Sequence, residues 1–453
     1  MYRKSIEYLK KWKNRSTRKP LIIRGARQVG KSYLVRILGE SEFDNILELN
    51  FERDYTDTAL FIGKSPHETL SLLEAKYKTT ITKGKTLIFL DEIQASPEVI
   101  AVLRYFYEDI PDLHIIAAGS LLDFTLNDHH FSMPVARIEY MHIGPMDFEE
   151  FLLALGYDKM VTYLNTYSYG DTIDLHEQLM SLVKKYWIIG GMPEAVKSFA
   201  QNQVYDECDF IKQTILSTYR DDFAKYTTRA KRNLIDKVFT RIPKMTGRKC
   251  VYTQIDRNER NQDIKRALEL LVQARVITKV THSNANGIPL GAEANERHFK
   301  TLFLDIGLLC RSCSLSIHEL ETDNDITLIN SGALAEQFVG QHLLYQGKFY
   351  EDPELYYWMR QKKTSNAEVD YLLSIGPDII PVEVKAGKTG SLKSLHMFLC
   401  SKQRSFALRF NSDIPSVIDT KTSIAGYNSH QFRLLSLPFY LIGQAKRLCI
   451  DNM

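Results

Sequence analysis

"GARQVGKS", residues 25–32, follows the apolar run Leu21-Ile22-Ile23 and precedes Tyr33-Leu34-Val35-Arg36-Ile37-Leu38. The spacing G-x-x-x-x-G-K-[ST], set between a strand-like and a helix-like segment, is that of a phosphate-binding loop. Its glycines let backbone N–H groups close around phosphate oxygens, and the helix N-terminus behind them adds partial positive charge. Gly25, Ala26, Arg27, Gln28, Val29, Gly30, Lys31, Ser32 and Tyr33 are therefore expected to line ATP. Lys31 would reach the β- and γ-phosphates and Ser32 would ligate Mg²⁺.

Working outward, residues 86–92 read TLIFLDE. Four consecutive apolar residues suit a strand buried on both faces of a parallel sheet. The two carboxylates at its end fit a nucleotide-hydrolysis site. Asp91 would hold the Mg²⁺ shell, and Glu92 would orient or deprotonate the attacking water. LHIIAAGS, residues 113–120, reads as a further strand.

GARQVGKS, FLDEIQ, AAGSLL and PMDFEEFL, in this order, resemble the bacterial and archaeal AAA-type ATPase family whose members carry a C-terminal DUF4143 region. Gln28 and Gln94 are part of the likeness. The resemblance implies an α/β fold: a P-loop NTPase core with a parallel sheet, a helical lid, a winged-helix module and a nuclease-like α/β C-terminal domain. It implies that Ser120, at a strand end, senses the γ-phosphate, beside the plain reading of a serine at a strand-to-loop junction. It also offers Arg137 as an arginine finger or sensor, beside a plain surface ion-pair role. The family usually carries Gly-Arg there, and this chain has Ala136-Arg137. In YWIIGGMPEAV, residues 186–196, Pro193 would touch the adenine by analogy. A Gly-Gly turn with proline opening a helix explains the same letters.

DFEEFLLALG places Phe148, Phe151, Leu152 and Leu155 at i, i+3, i+4, i+7, with Gly156 as the stop. QDIKRALELLVQAR, 262–275, puts Ile264, Ala267, Leu268, Leu271 and Val272 on one helical face, with Lys265, Arg266, Gln273 and Arg275 elsewhere. VITKVTH and HFKTLFLD follow as two strands around the turn-rich SNANGIPLG. A helix followed by such a hairpin is a winged-helix pattern, used for DNA or for protein contacts.

In the last third, SGALAEQFVGQHLL is a helix carrying Glu336. WMRQKKTSNAEVDYLL is a hairpin turning at Lys363-Thr364-Ser365-Asn366 and bearing Asp370, and IIPVEVKAGK is a strand bearing Glu383 and Lys385. E…D…ExK resembles the PD-(D/E)xK nuclease superfamily, in which Asp370 and Glu383 would bind Mg²⁺, Lys385 would steady the attacking hydroxide and Glu336 would add a ligand. Residues i and i+2 of a strand share a face, so Glu383 and Lys385 are expected to point together. E-V-K is also a common surface pattern, and Val369 stands where the superfamily's usual proline would be.

The whole suggests four domains: 1–146, 147–228, 229–312 and 313–453. Net charge is +3 over 453 residues, yet residues 229–300 hold 16 Lys and Arg against 7 Asp and Glu. Such a basic stretch suits a polyanion or merely a solvated surface. No apolar run approaches a membrane span, and the start lacks a signal-peptide core, so a cytoplasmic location is the default. The six cysteines, including the isolated Cys310-x-x-Cys313 pair, read as ordinary thiols. Expected partners are ATP and ADP, with DNA, a protein partner or an oligomer all open.

Overall fold

The computed structural model describes residues 1–119, 136–223, 229–315, 331–360, 367–387, 392–424 and 427–453. The turn expected at 363–366 and the γ-phosphate sensor expected at Ser120 lie outside these residues. The chain divides into two compact units.

The first unit comprises Met1–Pro145, Gln273–Arg275 and Gly347–Pro353. Its sheet has five strands: β1 (Leu21–Arg24), β2 (Asn45–Asn50), β3 (Thr86–Asp91), β4 (His114–Ala118) and β5 (Glu139–His142). Their order is β2-β3-β4-β1-β5, and every pairing is parallel. Parallel strands need crossover connections. These are supplied by α2 (Lys31–Glu42), α3 (Pro66–Tyr77) and α4 (Pro97–Asp109), with α1 (Ser5–Asn14) preceding β1. Every residue of β3 and of β4 is buried, as a strand covered on both faces requires. The core joins Ile22, Leu49, Ile88 and Leu90 of the sheet to Val99, Ile100, Leu103 and Phe106 of α4. In α3, Ser65 and Glu68 form a reciprocal cap with Pro66 opening the first turn, which ends the preceding loop sharply. The carboxyl ends of β1 and β3 emerge on one edge of the sheet, where such folds bind ligands.

The second unit comprises Met146–Val272, Val276–Gln346 and Glu354–Met453. It opens with helices α5 (Phe148–Ala154), α6 (Asp158–Thr166), α7 (His176–Ile189), α8 (Pro193–Asn202) and α9 (Tyr205–Phe223). Phe148, Phe151 and Leu152 are buried as their spacing predicts. Asp147 caps α5, and Gly156 takes a positive φ of 81° just past its end. Next come α10 (Arg229–Arg241) and α11 (Asn261–Gln273), whose Ile264, Ala267, Leu268 and Leu271 are buried.

The remaining strands make one mixed eight-stranded sheet: β6 (Ile277–Ser283), β7 (Ala294–Phe303), β8 (Leu355–Met359), β9 (Glu368–Ile375), β10 (Asp378–Val384), β11 (Phe406–Asn411), β12 (Ser416–Lys421) and β13 (Gln431–Pro438). The order is β12-β13-β11-β10-β9-β8-β6-β7. The antiparallel β6–β7 hairpin pairs onward with β8 in parallel, Val280 opposite Leu355. The strands expected of a wing and those expected of a nuclease-like core thus share one hydrogen-bonded sheet. Helices α12 (Ile306–Ser312), α13 (Ser331–Leu344), α14 (Lys393–Lys402) and α15 (Ala445–Asn452) complete the unit.

Candidate functional site

The first site is built at the carboxyl edge of the five-stranded sheet. After β1 the backbone enters left-handed conformations at Gln28 (φ 62°) and Gly30 (φ 93°) before α2 begins at Lys31. Alternating backbone handedness turns successive N–H groups inward, which makes a nest for anions. A side chain on Gly25 would strike the Ile143 carbonyl oxygen, so only glycine lets the loop start this close to the sheet. Lys31 is buried, and its Nζ donates to the carbonyl oxygens of Gly25 (3.0 Å) and Ala26 (2.8 Å). Burial pushes its pKa down to about 8, with Glu92 and Asp91 opposing. A desolvated ammonium held by two carbonyls is poised to exchange them for phosphate oxygens.

Ser32 Oγ donates across the edge to Asp91, 2.9 Å from Oδ1 and 3.0 Å from Oδ2. The two expected Mg²⁺-shell residues, 59 positions apart, therefore meet directly. Burial pushes the Asp91 carboxyl up to about 6, and the Ser32 hydroxyl counters it. One hydroxyl and one carboxylate on a phosphate nest fit Mg²⁺, which takes few protein ligands and completes its octahedron with phosphates and water.

Glu92 follows Asp91 with a positive φ of 49°, which turns it out of the strand. Its Oε2 accepts from Gln94 Nε2 at 2.6 Å. Gln94 also reaches toward Glu52, 3.5 Å away, and Glu52 faces Arg27 at 3.6 Å. The carboxylate expected to handle water is thus linked through Gln94 and Glu52 to the P-loop arginine, a connection with no signal in the local motif.

Residues far along the chain join this unit. Arg275, in the left-handed region (φ 58°), bonds Asp352 at 3.1 Å. His142, at the end of β5, lies 3.3 Å from the same carboxylate. Burial opposes ionisation of Asp352, but His142, Arg275 and Arg24 together hold its carboxyl below the ordinary value. The charge of Arg275 also reaches Lys31 and helps lower its pKa. The sequence puts Arg275 at the end of the 262–275 helix, off its apolar face; in the structure the helix stops at Gln273, and the tertiary fold brings Arg275 into the nucleotide-binding unit.

Other expected residues fall elsewhere. Arg137 is half-exposed and bonds Glu108 of α4 at 2.7 Å. It precedes β5, whose first residue pairs with Leu21 at the start of β1, so it sits at the strand edge opposite to the P-loop of its own chain. Ala136 takes a φ of 60°, a left-handed conformation that favours glycine. Pro193 opens α8 in the second unit. The preceding turn is fixed by buried Asp305, which accepts from Gly191 N at 2.6 Å and caps α12 at Leu308 N, 3.0 Å away.

The second expected site does converge. Glu336 of α13, Asp370 of β9, and Glu383 and Lys385 of the β10 end share one cluster. Asp370 Oδ2 accepts from Val384 N at 2.8 Å, and Lys385 bonds Glu383 at 2.6 Å. Sequence reasoning missed the group at the centre: Lys300 of β7, 3.0 Å from Glu336, 3.0 Å from Glu368 and 3.7 Å from Asp370. Among the described residues no set of three or more His, Cys, Asp or Glu side chains is arranged to hold a metal ion. All six cysteines are free thiols, and no helix of the described residues is long and apolar enough to cross a membrane.

Residues 17–152 match an AAA domain, 180–319 a domain of unknown function, DUF8612, and 331–427 a second one, DUF4143. No curated protein matches. Solved structures that do include the ORC2 protein of Aeropyrum pernix in ADPNP–ADP complexes (12% identity, TM-score 0.33, 61% of this chain and 86% of that one). The RuvB Holliday junction branch migration motor of Thermotoga maritima matches at 15% identity and TM-score 0.30, over 61% and 88%. PCH-2 of C. elegans matches at 8% and 0.27, over 45% and 64%. At such identities and scores, assignment to the P-loop class rests on the AAA match and on the site itself.

Proposed function

We propose that this chain, an ATPase whose AAA domain spans residues 17–152 and which carries a DUF4143 region at 331–427, uses Mg²⁺-dependent ATP binding and hydrolysis to switch how its C-terminal modules engage DNA or a protein partner. Lys31 binds the β- and γ-phosphates, Ser32 and Asp91 hold Mg²⁺, and Glu92 activates water. Ser120 reads the γ-phosphate, and Pro193 meets the adenine. Arg137, on the edge away from its own P-loop, serves a neighbouring copy if the protein assembles.

The observation that carries the switch is the membership of Gln273–Arg275 and Gly347–Pro353 in the nucleotide-binding unit. The first continues into β6 and the second into β8. A change of charge at Lys31 acts on Arg275 and, through it, on Asp352. Covalent continuity then passes a shift of either segment to the eight-stranded sheet.

A polyanion as partner is supported by a surface groove lined by Arg241, Lys244, Arg248 and Arg257, all exposed. This basic groove favours DNA over a protein partner. Two alternatives are an ATP-gated, metal-dependent nuclease at the DUF4143 cluster, which the ion pairs of Lys300 with Glu336, Glu368 and Asp370 there disfavour, and a DNA-binding regulator using nucleotide only structurally.

Hydrogen exchange on the full chain tests the switch. ADPNP with Mg²⁺ is expected to change protection in peptides covering 273–283 and 347–359 in the parent but not in Lys31→Ala. A protein that hydrolyses ATP while those peptides stay unchanged between ADPNP and ADP has no such switch.

A further inference from the structure

Lys300 is buried, 2% exposed, on a strand that lies outside the DUF4143 match. Its ammonium sits among carboxylates from two elements of that region: Glu336 of α13, and Glu368 and Asp370 of β9. It also lies over the rings of Tyr357 (5.4 Å) and Tyr371 (5.5 Å), whose π faces favour a cation. Tyr371 in turn donates its hydroxyl to the Glu336 carbonyl at 2.8 Å. The Lys300 head group thus meets negative charge and aromatic density together, and the three carboxylates hold its pKa well above the ordinary value against the effect of burial.

Around Lys300 Nζ the carboxylate oxygens stand at 3.0, 3.0 and 3.7 Å. Those are ammonium distances; a divalent ion with oxygen ligands needs about 2.0–2.6 Å. A second observation marks the cluster as a cation site. Glu383 is buried beside Asp370, and among the described residues its Oε2 has no hydrogen-bond partner. Four carboxylates therefore face two ammonium groups, Lys300 and Lys385, with one acceptor atom unused. The residues present do not fit a divalent metal while Lys300 is in place.

We propose that the acidic cluster of the eight-stranded sheet is a cation site filled by the chain's own Lys300, so that the parent protein takes no divalent metal there, and that replacing Lys300 by an uncharged residue frees its carboxylates to close around a divalent cation. The plug comes from β7, so the segment preceding the DUF4143 region completes its fold and closes its carboxylates to metal. Metal-dependent phosphodiester cleavage at Asp370 and Glu383 is then absent from the parent chain.

Mn²⁺ titration of nucleotide-free full-length protein, read by electron paramagnetic resonance, tests it. The parent and Asp370→Asn are expected to bind Mn²⁺ alike, with no site distinguishing them. Lys300→Met is expected to gain one Mn²⁺ per chain, about tenfold or more tighter than any site in the parent, because uncompensated buried carboxylates seek a counter-ion. Adding Asp370→Asn to that variant should abolish the gain, whereas Lys300→Arg, which keeps a cation, should bind as the parent does. Mn²⁺ should also raise the melting temperature of Lys300→Met and leave the parent's unmoved. A parent site that Asp370→Asn removes overturns the proposal, as does a folded Lys300→Met that binds no Mn²⁺. If Lys300→Met does not fold, the polar Lys300→Gln tests the opening of the site in its place, while the parent and Asp370→Asn titrations test the closed state.

Discussion

Replacing Lys31 by methionine should stabilise the nucleotide-free protein while removing its response to ATP. In the structure the Lys31 ammonium is buried and its pKa is lowered from 10.5 to about 8, chiefly by desolvation. That displacement is worth about 3 kcal/mol against the charged form near neutral pH. Methionine fills nearly the same volume without charge. It forfeits two hydrogen bonds, to the Gly25 and Ala26 carbonyls, each worth about 1 kcal/mol net. The apoprotein should therefore gain about 1 kcal/mol near pH 7. The sign with pH follows from proton binding. Between pH 8 and 10.5 the unfolded chain still holds the Lys31 proton and the folded one has shed it, so parent stability rises through that window relative to the variant, by about 3 kcal/mol in all. The advantage of Lys31→Met should close and reverse as pH climbs. Urea unfolding followed by the fluorescence of buried Trp12 reads the first unit, in a background where Trp187 and Trp358 are phenylalanine. The parent should gain stability with Mg²⁺–ATP and the variant should not. A variant less stable than the parent near pH 7, with a gap that stays flat from pH 8 to 10.5, would refute the reasoning.

Glu92→Gln should retain ATP affinity and lose hydrolysis by about 10²-fold or more, measured as single-turnover phosphate release. Burial places the Asp91 carboxyl at about 6, and Mg²⁺ requires its charged form, so Mg²⁺-dependent ADPNP affinity should weaken as pH falls through 6. Asp91→Asn, weaker throughout, should lose that component of the calorimetric pH profile. Ala136→Gly should raise stability by about 1 kcal/mol, since a left-handed φ of 60° strains any residue with a Cβ; thermal melting reads this. If the basic groove binds DNA, Arg248→Glu with Arg257→Glu should weaken binding and flatten its salt dependence, the log–log slope falling by about 0.9 for each phosphate left unneutralised.

What the sequence made legible was local. GARQVGKS carries its own geometry, because glycine spacing, the lysine and the following helix are fixed within one short loop. TLIFLDE announced a doubly covered strand by its apolar run, and β3 is buried throughout. The meeting of Ser32 with Asp91 followed from those two motifs, since both end on the same sheet edge. The long-range partners left no comparable trace. β6 pairs with β8, Val280 opposite Leu355, and no periodicity in either segment names the other. Lys300 looked like one basic residue among the 16 of residues 229–300, although its alternation with Phe299 and Thr301 already placed it on one face of a strand. Arg275 and Asp352 join the nucleotide unit through chain crossings that composition does not record.

Calorimetric titration of ADPNP into the full chain, with Mg²⁺ and then with EDTA, tests the bridging of Ser32 and Asp91 to the nucleotide's metal. The parent should bind about tenfold or more tighter with Mg²⁺, and Ser32→Ala should lose most of that difference while keeping its metal-free affinity. Equal affinity with and without Mg²⁺ in the parent, or an unchanged Mg²⁺ effect in Ser32→Ala, would contradict the account.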